Sequence, residues 1–158
     1  MALSTLGIQF KYAKAANETT PPASAYTDLA DYITDFPGFS SSANTIDVTP
    51  IGESAYMRYI VGLADTGGAV DVTFNLGAIE IAAIEAMKTA ADTATEKGVL
   101  WFLITHPRIT GKDSFAFKAE TGSLALPALA PNSAYQTTIS LIPNYVVDGL
   151  VADPDTTP

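Results

Sequence analysis

Residues 44–76 read NTIDVTPIGESAYMRYIVGLADTGGAVDVTFNL. Two short alternating runs bracket this stretch. In the first, Ile46 and Val48 alternate with Thr45, Asp47 and Thr49; in the second, Val70, Val72 and Phe74 alternate with Asp71, Thr73 and Asn75. A period of two marks a strand with one dry and one wet face. The intervening segment, residues 50–68, is too long for a tight hairpin turn and reads as a loop. It carries Tyr56, Met57, Tyr59, Ile60, Val61 and Leu63, too much apolar surface for a solvated spacer. A long loop of this kind in a small domain is functional or disordered, and its composition predicts that it is ordered against something.

Working outward, residues 7–15 form a strand candidate with Ile8, Phe10 and Tyr12 on one side and Gln9, Lys11 and Ala13 on the other. A polar connector containing Pro21 and Pro22 follows. Residues 26–36 then place Leu29, Tyr32, Ile33 and Phe36 at helical spacing, with Asp28, Asp31 and Asp35 opposite and Pro37-Gly38 as the stop, which predicts a short helix. The clearest helix spans 78–97. Ile79, Ala83, Ile84, Met87, Ala90, Ala91 and Ala94 make its apolar stripe, and Gly98 ends it. Residues 99–105, VLWFLIT, are almost wholly apolar and predict a strand buried on both faces. Alternating strands are predicted over 114–120 and 134–142, with an Ala/Leu/Pro-rich stretch between them. Strands, one long helix and strands again predict a mainly β fold, a sandwich or small barrel with a helix packed on one side. Residues 1–147 form the domain and 148–158 a flexible tail.

The 158 residues are enough for one domain with a real core. The net charge of −9 argues against gripping nucleic acid through its phosphates, though not against letting it slide past. Without cysteine there is no disulfide framework, thiolate metal site or Cys nucleophile. No basic, apolar leader and no membrane-spanning apolar run is legible, so the expectation is a soluble protein made in a cytoplasm, without membrane insertion. Catalytic groups do not assemble either. His106 is the sole histidine and sits between an apolar run and Pro107, with no serine or carboxylate motif beside it in sequence, so a structural role is expected. Asp28, Asp31 and Asp35 lack the spacing of a calcium loop and read as a solvated helix face. Gly67-Gly68 fits a turn rather than a phosphate cradle. The expectation is no enzyme, no cofactor and no metal. What remains is apolar surface in surplus of one domain's needs, as a self-assembling subunit requires.

On the residues 44–49 (NTIDVT), 59–63 (YIVGL) with Asp65-Thr66-Gly67, and 72–75 (VTFN), the sequence resembles the major tail, or tail tube, proteins of long-tailed, non-contractile bacteriophages. The later order is similar too: a helix, an apolar strand, Phe115-x-Phe117, and a final Thr-Ile-Ser strand. The Ala-rich helix and the Pro-containing tail depart from the usual pattern. The resemblance implies a β-sandwich with a flanking helix whose copies form hexameric rings. The rings stack into a virion tail tube, assembled in the host cytoplasm, through which DNA is ejected. Partners would be further copies, a tail terminator, baseplate or tip proteins, a tape measure protein in the lumen, and DNA in transit. If the two bracketing strands lie in the inner sheet, their apolar faces pack into the core. Thr45, Asp47, Asp71 and Thr73 then face the lumen, where acid repels phosphate; otherwise they are ordinary solvated residues. Tyr56, Met57, Tyr59, Ile60 and Leu63 would hold one ring to the next, or else pack within the subunit. Two alternatives stand beside this: an adhesin- or carbohydrate-binding β-sandwich, and the tube of a contractile injection machine.

Overall fold

The computed structural model describes residues 7–15, 19–22, 26–106, 112–127, 129–147 and 149–152. In chain order its elements are β1 (Gln9–Lys14), β2 (Thr27–Asp28), β3 (Ile33–Asp35), β4 (Ser42–Asp47), β5 (Tyr59–Asp65), β6 (Val70–Asn75), α1 (Ala78–Asp92), β7 (Val99–Thr105), β8 (Lys112–Leu124), β9 (Gln136–Val146) and β10 (Val151–Ala152). Eight strands make one antiparallel sheet in the order β2-β1-β7-β8-β9-β6-β3, with β10 added to β8. The sheet curls into a half-barrel with α1 against it. The fold is therefore mainly β, of the sandwich or barrel kind, with one flanking helix, as its sequence pattern predicts. β4 and β5 pair only with each other and form a separate two-stranded ribbon.

The sheet is organised on β7, which lies between β1 and β8 and is buried on both faces, as its continuous apolar run requires. Cross-strand register separates the faces. Tyr12, Phe102 and Phe117 align on one side, and Leu100 opposes Ala119 there. With Phe10, Val72, Phe74, Ile139 and Leu141 they form the main core, which α1 closes with Ile84, Met87 and Ala91. Phe102 and Phe117 stack at 5.2 Å, and Phe39 meets Phe117 edge-on at 5.0 Å. On the other face Trp101, Leu103 and Ala116 form a smaller core with Ala15 and Val99, covered by Tyr26, Tyr145, Val147 and Val151. Two polar features are absorbed there. Thr105 and Ser114 share a hydrogen bond of 2.8 Å, and the buried Lys118 ammonium, across the ladder from Trp101, donates to Glu96 at 3.1 Å.

Several sequence expectations are corrected. Residues 26–36 are not a helix. Asp28 accepts from the Ala30 N–H at 2.9 Å and the Phe10 N–H at 3.3 Å, so its carboxylate builds a turn beside β1 rather than lining a helix face. Only one turn forms, with Tyr32 and Ile33 donating to the Leu29 carbonyl, before β3 begins. Eleven residues ending at Pro37 are too few for an isolated helix to outweigh strand pairing with β6. α1 stops at Asp92, five residues short of the predicted end, because the Thr93 hydroxyl bonds back to the Thr89 carbonyl and Gly98 turns into β7 with φ of 84°. Ile79, predicted in its apolar stripe, is 67% exposed. β8 and β9 both run longer than predicted. The β10 pairing lies beyond the 147/148 boundary, while residues 153–158 and the sequence expectation of mobility there fall outside the described residues.

Candidate functional site

The segment predicted as a loop, residues 50–68, contains β5. Ser42–Asp47 and Tyr59–Asp65 pair antiparallel, with Ile46 opposite Ile60, Thr45 opposite Val61 and Asp47 opposite Tyr59. A register shift between Ala43 and Thr45 sits opposite Gly62, where a Cβ would come within 3.1 Å of the Asn44 carbonyl oxygen. Glycine thus suits a close backbone approach, since any side chain would make the Asn44 carbonyl give way by a few tenths of an ångström. The tip is folded by its own polar groups. The Thr49 N–H and hydroxyl donate to the Asp47 carboxylate at 2.9 and 2.6 Å, and the Arg58 N–H donates to the Thr49 hydroxyl at 2.8 Å. The Thr49 hydroxyl and amide hold the Asp47 carboxyl below the usual aspartate range. Glu53 accepts from the Ala55 and Ser54 amides, each at 3.0 Å, and from Arg58 at 2.8 Å; the Ala55 amide leads in lowering its pKa.

This ribbon is an arm. Every residue of β4 is exposed, and in β5 only Gly62 is even partly covered. Neither strand makes substantial contact with α1 or the main sheet. Yet its side chains are those of a core. Of eighteen large apolar side chains exposed among the described residues, nine lie between Ile46 and Leu63, including Ile51, Tyr56 and Met57. Directly opposed residues share a face. One face therefore carries Ile46 and Ile60, 51% and 52% exposed; the other carries Tyr59 and Val61, with Val61 at 76%. Both faces are apolar and neither is covered.

The structure places the predicted site residues in two separate groups. Thr45 and Asp47 stand on the arm, directly across from Val61 and Tyr59, so they share a face with part of the predicted contact set. Asp71 and Thr73 stand on β6 in the main sheet, on the face opposite the buried Val70, Val72 and Phe74. There Ser140 donates to Asp71 at 2.8 Å, and Thr73 opposes Thr138. Ile46 and Val48 do not pack into the core as expected, being 51% and 44% exposed, because β4 never joins the main sheet. Tyr56, Met57, Tyr59, Ile60 and Leu63 are all exposed and all on the arm. Ile46, Val48, Ile51 and Val61 belong beside them. The alternation of Ile46 and Val48 was a true strand signal, but it does not say which body the dry face meets.

A second exposed apolar region lies at the other end of the β6–β9 ladder. The arm joins β6 where Val70 pairs with Leu141, and its base is tied by the Thr66 hydroxyl donating to the Pro143 carbonyl at 2.9 Å. At the far end of the same ladder Asn75 pairs with Gln136, and the Leu76 N–H donates to the Tyr135 carbonyl. Leu129, Tyr135 and Ile79 are exposed there, beside a depression of about 400 Å³ lined by residues 129–131 and 133–135. A second cavity of about 190 Å³ lies among Phe36, Phe39, Ile104, Phe115, Phe117 and Val146. Neither is lined by a carboxylate, histidine or lysine. Among the described residues no three His, Cys, Asp or Glu side chains converge on a metal site, and no helix is long and apolar enough to cross a membrane.

No protein-family model matches the chain, and no curated protein matches it. Its fold does match a solved structure. A chain in the cryo-EM structure of the anti-feeding prophage (AFP) baseplate, 6-fold symmetrised, aligns over 93% of this chain and 96% of that one, with a TM-score of 0.59 and 9% sequence identity. The two chains share a fold over nearly their whole lengths.

Proposed function

We propose that the protein is a structural, non-enzymatic subunit of a phage-tail-type particle, in which its copies form six-membered rings that stack into a hollow tube. The observation that carries this reading is the exposed arm, whose apolar side chains have no cover within the subunit. Monomers rarely leave so much contiguous apolar surface in water. The arm and the Leu129–Tyr135 region lie at opposite ends of the β6–β9 ladder, which suits a head-to-tail contact between different patches, the kind that builds rings and stacks. The fold likeness to a chain in a six-fold baseplate structure supports the same reading.

In this reading Tyr56, Met57, Tyr59, Ile60 and Leu63 make contacts between subunits and between rings. Asp71 and Thr73 face the lumen and keep DNA from sticking; Thr45 and Asp47, which share the arm face of Val61 and Tyr59, go with the contact set instead. The tail terminator, the tip or baseplate and a tape measure protein are the partners at the ends and in the bore. The prophage baseplate match is equally compatible with a second form of the reading, a ring of a contractile injection machine rather than of a long non-contractile tail. Binding of a sheath protein to assembled tubes distinguishes the two.

The experiment is sizing at rising concentration with negative-stain imaging. Rings or tubes are expected. A monomer at every concentration overturns the proposal and favours a binding module. Within tubes, Asp71→Lys should leave assembly intact and slow DNA ejection; unchanged ejection removes Asp71 from the lumen.

A further inference from the structure

We infer that the arm does not lie on a neighbour but is held between two, each further copy of this chain covering one of its faces. The inference deepens the ring-subunit reading and rests on it. A ribbon that docks flat on one surface needs one apolar face and keeps the other polar. Here Ile46 and Ile60 make one face apolar and Tyr59 and Val61 the other, and the subunit covers neither. An isolated two-stranded hairpin is marginal in water, so an arm built this way gains its stability where both sides are dry. Its nine exposed apolar side chains present on the order of 1,000 Å², more than the roughly 800 Å² that one partner contributes to a standard interface. Charge selects the occupant. Copies carrying −9 each repel one another over most of their surface. Between Ser54 and Ala64 the arm holds no carboxylate, and its single charge, Arg58, is answered by Glu53. The acids in the paired strands are Asp47, across from Tyr59 and already held by Thr49, and Asp65 at the end of β5. A second and a third copy can therefore approach most of this surface with little like-charge cost.

Neighbouring residues on one strand test it, because Ile60 and Val61 point to opposite faces. Ile60→Glu and Val61→Glu are made separately in the full chain. Both carry the same charge change, so electrostatics cancel between them. Each should unfold at the wild-type temperature, since the arm makes no substantial contact with the body. Each should raise the concentration needed for rings or tubes by at least about tenfold. If one variant assembles like wild type, one face is open and the sandwich is overturned while the ring reading stands. If wild type itself never assembles, both fall. A photo-crosslinking residue placed at 60 or at 61 gives a second readout in assembled particles. Two different acceptor peptides on other copies are expected; a shared acceptor for both positions overturns the inference.

Discussion

β7 and β5 are both seven-residue strands, VLWFLIT and YIVGLAD, and both are apolar on two faces. β7 lies inside the sheet, with α1 and the main core on one side and the Trp101–Tyr145 cluster on the other. β5 has one paired edge and water on both faces. Two-sided apolarity thus states a demand for two layers of cover without stating who supplies them. In β7 the same chain supplies both. In β5 it supplies neither, and the unmet demand is the best indication of function in the molecule.

The contrast breaks most visibly at the centre. Trp101→Ala should cost about 3–5 kcal/mol in chemical denaturation, through the cavity it leaves. Val61→Ala should stay within about 0.5 kcal/mol for the isolated subunit while weakening assembly. A large loss for Val61→Ala would mean that the arm packs on its own body. A smaller effect belongs to Lys118, which sits across from Trp101 and is answered by Glu96. Glu96→Ala leaves a nearly buried ammonium without this partner and should cost about 1–3 kcal/mol; an unchanged midpoint would show that water or another acceptor satisfies it. Salt acts on the arm side of the comparison. Screening the −9 charge should promote assembly between about 0.02 and 0.3 M, seen by light scattering. Dissolution by salt would point to ion pairs rather than apolar contact. The smallest effect is at the arm tip. Thr49→Ala removes the hydroxyl that donates to Asp47, and the Asp47 pKa should rise toward the ordinary aspartate value in an NMR titration. Because the folded pKa is depressed, this contact contributes above the unfolded pKa and is lost as pH falls through the folded one.

Much of the body was legible. The apolar run at 99–105, the alternation at 70–75 and 136–142, and the stripe of Ile84, Met87 and Ala91 each state a periodicity that one backbone geometry satisfies. The segment 26–36 was not, because Leu29 and Ile33 satisfy a helical period by coincidence. Asp28 is committed to a turn beside β1 and Ile33 to pairing with β6, and both contacts are long-range. The arm was half legible. Its apolar content and its role as a surplus surface were readable in residues 56–63. Its strand pairing was not, because the glycine at 62 and the register shift interrupt the alternation that would have announced β5.

The chain's own letters determined a mainly β body, the doubly buried central strand, a flanking helix, an acidic balance and an apolar segment too large for a spacer. Tertiary structure alone decided that β4 leaves the sheet to pair with β5, that Asp47 and Asp71 stand on different bodies, and that Ile46 and Val48 face water. The physical reason is that periodicity records which side of a strand seeks a dry surface. Only the three-dimensional arrangement shows whether the surface it meets is its own.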